Sequence, residues 1–133
     1  MKRSLLLLTI VLSSLSFIKC TSEKKAINKE LTQTASDINE STPVMLDQYT
    51  RFDFASVSTD NVFRYHYTII NSENPDSLIR AVESSVRDNI SQEFNENPQL
   101  RFFKENNVSI EYVYNDETEK TIKIIRIDSS DYH

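Results

Sequence analysis

One amphipathic segment, from Asn74 to Asn95, constrains the fold of this chain more than any other feature. Asn74 can accept a hydrogen bond at the start of a helix, and Pro75 fits the first helical position, where no N–H is needed. Apolar residues then recur at helical spacing along one side, and polar residues occupy the other. The apolar stripe consists of Leu78, Ile79, Val82, Val86, Ile90 and Phe94. Such a helix buries its stripe against a sheet, and strand patterns lie on both sides of it.

Alternating apolar and polar residues predict four strands around this helix. In the first of them, Phe52 and Phe54 alternate with polar or small residues and are expected to face the same side. The predicted strands are Arg51–Ser58, Val62–Ile70, Val108–Asn115 and Lys120–Ile127, and a short second helix is predicted at Pro98–Glu105. The order β-β-α-α-β-β indicates a two-layer α+β fold, in which an antiparallel sheet of about four strands carries one long helix on one face. The pattern leaves the strand order open.

The chain contains no glycine, although glycine makes up about 7% of an average protein. Phosphate-binding loops and nucleophile elbows need glycine where the backbone turns with positive φ or approaches a ligand closely. Those two kinds of site are therefore excluded. Asn and Asp tolerate the left-handed region next best, so Asn106-Asn107 and Asn115-Asp116 are expected to form turns.

The charge of the chain argues against nucleic acid as a partner. The formal net charge is −5, with 15 basic and 20 acidic residues. Residues 1–20 hold Lys2, Arg3 and Lys19 and no acid, which leaves 12 basic and 20 acidic residues, a charge of −8, for the rest. Nucleic acid and anionic membrane surfaces both attract basic patches, so neither suits an acidic domain. The sequence carries no cofactor-binding motif either.

Residues 1–20 are typical of an export signal. Lys2 and Arg3 form a positively charged start, and Leu5–Ile18 is an apolar stretch of about the usual length. The stretch is too short to span a membrane, for which about 20 apolar residues are needed. The sequence therefore predicts an exported protein of the cell envelope.

Two cleavage sites are compatible with this signal. Cys20 is the single cysteine, and it follows the apolar stretch as in a bacterial lipoprotein signal, which the segment resembles. Such signals usually have a small residue before the cysteine, where this chain has Lys19. Cleavage before Cys20 predicts an acylated cysteine and an anchor in the outer membrane. Cleavage after Ser16 is the alternative, and it would leave Cys20 as a free thiol on a soluble periplasmic or secreted protein.

The segment after the signal is expected to be unstructured. Residues 21–42 are polar, with Ala26, Ile27, Leu31 and Ile38 too scattered to indicate a core. We therefore expect a disordered tether over residues 21–42. The folded domain is expected to comprise residues 43–133, and about 90 residues can support one hydrophobic core.

Several short motifs in Pro43–Ile127 carry a resemblance to other proteins. They are Pro43-Val44-Met45-Leu46-Asp47, Thr50-Arg51-Phe52-Asp53, Tyr65-His66-Tyr67-Thr68-Ile69-Ile70-Asn71, Asn97-Pro98 with Arg101, and Val108 with Tyr112-Val113-Tyr114. Over this range the chain resembles a group of small uncharacterised bacterial exported proteins and lipoproteins. Relatives often have a glycine before the strand at Val108 and a cysteine pair in the C-terminal half, both of which this chain lacks. The resemblance implies export and no particular activity.

Two residues of the first strand and one histidine are candidate contacts for a partner. Arg51 and Asp53 are expected on one face, where they either contact a partner or pair with each other. His66 lies on the polar side of its strand, near Arg64. A catalytic role for His66 would need a nucleophile or a metal, and the sequence signals neither, so a solvated side chain is the simpler interpretation.

Four tyrosines and one acidic loop complete the candidates. The tyrosines form either an aromatic platform for a sugar or peptide or a part of the core with their hydroxyls at the rim. They are Tyr65, Tyr67, Tyr112 and Tyr114. The loop that contains Asp116 and Glu117 lacks the ligand spacing and the glycine of calcium-binding loops, so a charged hairpin tip that contacts a partner is expected. The sequence predicts no metal site.

These observations support three hypotheses about function. No catalytic constellation is present in the sequence, so the leading hypothesis is a non-enzymatic envelope lipoprotein whose α+β domain binds an unknown protein partner. The second is a soluble periplasmic or secreted inhibitor of the immunity type, which binds a basic partner through its acidic surface. The third is a hydrolase with an unrecognised site, for which His66 would be the most obvious base.

Overall fold

The computed structural model describes the backbone of residues 2–132 and the side chains of residues 20–98 and 100–132. Over these residues, one five-stranded sheet carries helices on one of its faces. The elements are α1 (Lys2–Asn39), β1 (Val44–Met45), β2 (Thr50–Val57), β3 (Phe63–Ile69), α2 (Pro75–Glu96), α3 (Arg101–Glu105), β4 (Ile110–Asn115) and β5 (Thr121–Ile127), with 3-10 turns at Pro98–Leu100 and Ser129–Asp131. The α+β class that the sequence predicts is confirmed.

The sheet is mixed, with the strand order β1-β2-β3-β4-β5. β3 and β4 run parallel, with Phe63 beside Ile110, whereas the other neighbouring strands are antiparallel. The expectation of a purely antiparallel sheet is therefore wrong. α2 and α3 return the chain to the end of the sheet where β3 began, and a strand that starts there runs parallel to β3. The edge strand β1 has two residues, too few for an alternating pattern to reveal it.

α2 forms as its sequence predicts. The Asn74 side chain accepts a hydrogen bond from the Ser77 N–H at 3.0 Å, and Pro75 is the first helical residue. Its buried residues are Ile79, Ile90 and Phe94. Val82 differs from the expectation, because 39% of its surface stays exposed although it belongs to the apolar stripe. The stripe is therefore only partly covered by the sheet.

The segment before the sheet is helical and packs on it. Leu31 and Ala35 of α1 are 0% and 5% exposed, and Ile27 and Ile38 pack against the same core. These four residues recur at spacings of three and four, which is the stripe of an amphipathic helix. The prediction of a disordered tether over residues 21–42 is therefore wrong. The fold begins within α1 and not at residue 43.

The predicted export signal at residues 1–20 lies mostly outside the described side chains. The backbone of residues 2–20 continues α1 without a break. Within the described residues, no helix combines the length and the apolar character that a membrane crossing needs. The signal itself stays a prediction from sequence.

Asn39 attaches the end of α1 to the edge of the sheet. Its side-chain amide donates to the Ala55 carbonyl at 2.9 Å and accepts from the Ala55 N–H at 2.6 Å, as a neighbouring strand would. β1 pairs with β2 only at Arg51 and Phe52, and beyond that short strand Asn39 bonds the backbone of β2 at Ala55. Unpaired groups on an edge strand invite pairing with other chains, and Asn39 closes this stretch of the edge.

A β-bulge next to Asp53 divides two aromatic residues between the faces of β2. Phe52 lies opposite Tyr67 on the helix-bearing face and is buried, whereas Phe54 lies opposite His66 on the other face and is 45% exposed. The expectation that Phe52 and Phe54 face the same side is wrong, because the bulge adds one residue and shifts the alternation.

Asparagine takes most of the left-handed backbone positions that glycine would usually fill. Asn61, Asn71 and Asn107 have φ angles of 61°, 54° and 51°. Asn107 confirms the turn predicted there. In the turn between β4 and β5, the positive φ of 66° belongs to Glu119 and not to the predicted Asn115-Asp116 pair.

The C-terminal end, which reads as polar, contributes one residue to the core. Tyr132 is 3% exposed, and its ring stacks on Phe94 with the centroids 4.3 Å apart. Its hydroxyl donates to the Val108 carbonyl at 2.7 Å. Burial raises the pKa of Tyr132 to about 12, so this side chain stays neutral at physiological pH.

Candidate functional site

Two helices stand apart on the same face of the sheet. α1 packs on β2, and α2 packs on β5, where Glu83 pairs with Lys123 at 2.7 Å. Three strand spacings of about 4.8 Å separate β2 from β5, which places the two helices roughly 14 Å apart. Helices that pack against each other lie about 8–10 Å apart. The helices therefore leave β3 and β4 between them as the floor of a groove.

Four stacked tyrosines form this floor, and we call them the tyrosine row. Tyr65 and Tyr67 on β3 lie beside Tyr112 and Tyr114 on β4 in the parallel register. The ring centroids of Tyr65 and Tyr112 are 5.3 Å apart, with 22° between the ring planes. Those of Tyr67 and Tyr114 are 5.1 Å apart, with 18° between the planes. The rings therefore cover one another's faces.

The hydroxyl groups of the tyrosine row reach solvent. Among the described residues, none of these hydroxyls has a hydrogen-bond partner within the protein. Every buried side-chain oxygen of the described residues does have such a partner, so the four hydroxyls are not buried. Burial of the rings raises the pKa of Tyr65 and of Tyr114 to about 12, and burial also raises the pKa of Tyr67 and Tyr112. The row thus presents neutral hydrogen-bonding groups between apolar rings. The rings belong to the core, and the hydroxyls line an accessible surface.

The groove widens near the end of β3 into a cleft of about 570 Å³, which we call the α2 cleft. Residues 47–50 form one wall, Leu78, Val82 and Val86 of α2 form the other, and Tyr114 contributes to the lining. Tyr49 is 38% exposed and Val82 is 39% exposed. Apolar side chains at the mouth of this cleft are therefore accessible, and contiguous exposed apolar surface is typical of interaction sites.

A second, smaller cleft lies toward the other end of the groove. It measures about 410 Å³ and lies between α1 and the residues in and after α3. We call it the α1 cleft, and its lining residues are Glu23, Ala26, Ile27, Glu30, Phe102 and Asn106. The middle of α1 is fixed beside it, because Asn61 donates to the Lys24 carbonyl at 3.1 Å.

Among the described elements, no helix covers the other face of the sheet, which we call the open face. Two of the predicted partner contacts, Arg51 and Asp53, form an ion pair there. Asp53 also accepts a hydrogen bond from the Thr68 hydroxyl at 2.6 Å. These groups therefore satisfy one another, which is the simpler of the two interpretations that the sequence allows.

A second ion-pair network crosses the open face from β3 to β5. Arg64 and Arg126 both bind Glu111, at 2.6 and 2.8 Å, and Arg126 also binds Asp128 at 2.9 Å. The hydrogen bond from Arg64 holds the pKa of Glu111 below its usual value. The Ser109 hydroxyl, which donates to Asp128 at 2.6 Å, lowers the pKa of that carboxyl as well.

His66 lies in the middle of the open face, beside a serine. Its Nε2 is 2.9 Å from the Ser56 hydroxyl oxygen, and its ring stacks on Phe54 with the centroids 4.2 Å apart. Burial, reinforced by the charge of Arg64, lowers the pKa of His66. A nucleophilic serine needs donors for an oxyanion, whereas Ser56 lies within the β2–β3 ladder, where backbone N–H groups pair between strands. The contact therefore has the character of a structural hydrogen bond.

The other two predicted partner contacts lie in the turn between β4 and β5. Asp116 organises this turn, because its carboxylate accepts from the Thr118 N–H and hydroxyl and from the Lys120 N–H. The hydrogen bond from the Thr118 hydroxyl lowers the pKa of Asp116. Glu117 beside it is exposed. The structure thus brings Arg51, Asp53 and His66 together on one face and leaves Asp116 and Glu117 on a turn.

Cys20, the predicted lipidation site, is exposed on α1. Its acylation stays a prediction. In the described part of the chain, no group of three or more His, Cys, Asp or Glu side chains could hold a metal ion. Accessible apolar side chains and tyrosine hydroxyls therefore lie on the same side of the sheet, and Tyr114 lines the α2 cleft.

Sequence reasoning misses the contribution of α1 to this groove. Ile27, Leu31 and Ala35 recur every fourth residue, so a stripe signal is present in the sequence. Polar residues such as Asn28 and Thr32 lie between the apolar residues of the stripe, so the helical pattern is weak in the sequence. The tyrosine row is visible in the sequence, but its position between two helices depends on where α1 packs.

A family described as a domain of unknown function, DUF8479, matches residues 25–125. The match begins inside α1, in agreement with the buried stripe of that helix. No curated protein is similar in sequence.

Three solved structures share the fold. One is a protein of Pseudomonas aeruginosa described as secreted, with a TM-score of 0.71 and 16% identity over 83% of this chain and 96% of that chain. Another is EpsS, a pilotin of the type 2 secretion system of Vibrio vulnificus, with a TM-score of 0.62 and 8% identity over 85% and 97%. The third is AspS, a type II secretion system pilotin of Vibrio cholerae, with a TM-score of 0.55 and 9% identity over 84% and 97%. At these identities the likeness concerns the fold alone.

Proposed function

The chain belongs to the DUF8479 family, and we propose that it is a non-enzymatic, lipid-anchored protein of the cell envelope that binds a segment of a protein partner. The binding site is the groove between α1 and α2. The observation that carries this proposal is the tyrosine row, whose unpaired hydroxyls lie accessible between two helices that stand apart. A folded chain gains by covering apolar surface, so an uncovered groove of this kind suits a partner.

The geometry of the tyrosine row favours a peptide over a sugar. Sugars bind to the free faces of aromatic rings. Here the faces of Tyr65 and Tyr112 cover each other, with the centroids 5.3 Å apart, as do those of Tyr67 and Tyr114 at 5.1 Å. What remains accessible is ring edges, hydroxyls and the apolar wall around Val82. Those groups suit the apolar side chains and backbone polar groups of a peptide segment.

An envelope location agrees with the predicted signal and with the structural neighbours. The neighbours include a protein described as secreted and two type II secretion pilotins. A fold shared with pilotins supports a binding role over a catalytic one. In our proposal, Cys20 carries the lipid that holds the domain at the membrane.

The course of α1 determines how such an anchor would hold the domain. Leu31, in the core, is eleven residues after Cys20, which is about 16 Å of helix. A helix of that length is much stiffer than a disordered tether. The domain would therefore keep a defined orientation at the membrane, with the part of α1 around Cys20 toward the lipid.

Capture of the partner from the envelope fraction of the native host tests the groove. Val82→Glu places a charge on the α2 cleft, and Ile124→Glu places the same charge on the open face. Both side chains are exposed, at 39% and 49%, so neither substitution should disturb the core. We expect the wild type and I124E to retain the partner and V82E to lose it. Capture that V82E leaves unchanged would exclude the groove.

The intact mass of the protein from the membrane fraction tests the anchor. Cleavage before Cys20 with added acyl chains is the expected result, and Cys20→Ala should abolish the acyl mass and palmitate labelling. A chain that starts at Phe17 and carries no lipid would contradict the anchor.

A soluble inhibitor of a basic target is the second candidate function. The observation that favours it is the charge of −8 on the 12 basic and 20 acidic residues that follow residue 20. A mass without lipid, together with salt-sensitive capture of a basic protein, would place this candidate first.

A further inference from the structure

One end of the sheet, which we call the far end, lies opposite the turn between β2 and β3 that contacts Lys24 and Asn28 of α1. Strand register places Thr50 beside Ile69, Thr68 beside Asn115, and Asn115 beside Thr121, so three connections of the chain meet at this end. They are residues 46–50, 70–76 and 115–121. The α2 cleft opens here, between residues 47–50 and α2.

The part of α1 around Lys24 and Asn28 is held at the other end of the sheet. Asn28 donates to the Ser58 carbonyl at 2.9 Å, next to the turn between β2 and β3. Asn61 in that turn donates to the Lys24 carbonyl at 3.1 Å. Cys20 is about one helical turn before Lys24. The eight residues of β2 separate the two ends by roughly 23 Å, so the α2 cleft faces away from a membrane that holds Cys20.

The far end is strongly acidic. Its three connections contain six carboxylates and one lysine, Lys120. The carboxylates are those of Asp47, Glu73, Asp76, Asp116, Glu117 and Glu119. Among the described residues, the ion pairs join other side chains and include none of these six. Asp76 shares a small pocket with Arg80 and Lys123, and Lys120 lies near Asp116, so the far end keeps an excess of negative charge, whereas the charges of the open face are paired.

The nearest cations of α2 and β5 do not lie in the α2 cleft. Arg80 and Lys123 line an adjacent small pocket with Asp76, Ile79 and Ile122, and Lys123 is paired with Glu83. Asp47 is at the mouth of the α2 cleft, and its carboxylate accepts from the Tyr49 and Thr50 N–H groups, which fixes the charge in place. The apolar cleft thus has one fixed carboxylate, that of Asp47, in its lining, and the other carboxylates of the far end lie on the connections beside it.

We propose that the α2 cleft binds an apolar peptide segment flanked by lysine or arginine residues, which enters from the far end. This inference rests on the proposed function, because it assumes that the groove binds a protein partner. The apolar residues of the segment pack against Leu78, Val82 and Val86, and its cations face the acidic connections. Charges of this kind steer the approach and choose the partner, while the apolar contacts hold it.

A labelled synthetic peptide with a Leu/Val stretch between two lysine clusters is the probe, and the same peptide with glutamates in place of lysines is its control. Fluorescence anisotropy with the purified full chain measures binding. We expect the lysine peptide to bind, more weakly as salt is raised from about 0.05 to about 0.5 M, and the glutamate peptide not to bind. Equal binding of both peptides would overturn the inference.

Charge reversal compares the far end with acidic residues that line neither cleft. The variant Glu73→Lys/Glu117→Lys/Glu119→Lys changes exposed side chains at the far end, and Asp37→Lys/Glu40→Lys/Asp60→Lys changes exposed side chains outside both clefts. The first variant should bind the lysine peptide about tenfold or more weakly than the wild type does. The second variant should bind it as tightly as the wild type does. The opposite ranking, or no effect of the first variant, would overturn the inference.

The proposed function and this inference fail in different ways. If V82E abolishes partner capture but reversal of the far-end charges does not weaken it, the groove binds a partner that is not basic, and only the inference is lost. If V82E leaves capture unchanged, the proposed function is lost first.

Discussion

The two faces of the sheet use their side chains in opposite ways. On the open face, charged groups pair with one another: Arg51 with Asp53, and Glu111 with two arginines. On the helix-bearing face, the tyrosine row and Val82 leave hydroxyls and apolar surface accessible. A charge that is already paired gains little from a new partner, because the old contact must first be broken. Conspicuous charges on a strand therefore indicate a partner site less well than unpaired polar groups beside apolar walls.

The largest loss of stability is expected from a substitution on the helix-bearing face. Leu31→Ala removes a side chain of α1 that is 0% exposed and should lower the free energy of unfolding by about 2–5 kcal/mol. Urea unfolding of the full chain measures this loss. Val113→Ala is the matched control, because Val113 is buried on the open face outside the main core, and it should cost less. An unchanged urea midpoint for L31A would show that α1 does not pack on the core and is a loose tether.

The next largest loss of stability is expected where Asn39 contacts the edge strand β2. Asn39→Ala leaves the Ala55 N–H and carbonyl without their side-chain partners and should cost about 1–3 kcal/mol. Asn39→Asp keeps an acceptor for the N–H but loses the donor to the carbonyl, so an intermediate loss is expected. Faster hydrogen exchange at the Ala55 amide should accompany both. Exchange as slow as in the wild type would show that Asn39 does not protect this edge.

The open face should respond weakly and in a pH-dependent way. Because Arg64 lowers the pKa of Glu111 in the folded state, this carboxylate stabilises the fold above its ordinary value of 4.5. The stabilisation is lost as the pH falls below 4.5 through the lowered pKa. Glu111→Gln should therefore cost about 0.5 kcal/mol at neutral pH, as for a solvent-screened pair, and the difference from wild type should vanish in acid. A cost independent of pH would assign Glu111 a role in packing instead.

The smallest effect concerns the charge state of His66. Burial lowers its pKa below the ordinary 6.5, so protonation opposes folding, and a little stability is lost as the pH falls below 6.5. NMR titration of the imidazole, assigned with a His66→Gln variant, should give a pKa under 6.5. Phe54→Ala, which uncovers the ring, should move that pKa back toward 6.5. A pKa above 6.5 would mean that Asp53 and Glu111 outweigh burial.

The elements that the sequence predicts well are those whose signals are local. The cap at Asn74, the stripe of α2 and the period of the four longer strands depend on neighbouring residues, and the structure confirms the elements they predict. The failures have a different origin. The bulge at Asp53 inserts a residue that no alternation can reveal, and the parallel pairing of β3 with β4 follows from the path of α2 and α3.

The candidate site was harder to predict than the fold for the same reason. The sequence marks Arg51, Asp53 and His66 as polar residues on strands, but it cannot show that their partners lie on neighbouring strands. The tyrosine row is equally visible, but its accessibility depends on α1 and α2 lying on separate strands. α1 packs on the sheet through Leu31, and the apolar stripe around Leu31 is short and interrupted by polar residues.

Photo-crosslinking in living cells tests the central claim most directly. A crosslinking amino acid is placed at Val82 in the α2 cleft or at Ile124 on the open face, two exposed aliphatic positions on opposite sides of the sheet. The account predicts a discrete protein adduct from position 82 and none from position 124. An adduct from position 124 with none from position 82 would contradict it and make the open face the partner surface.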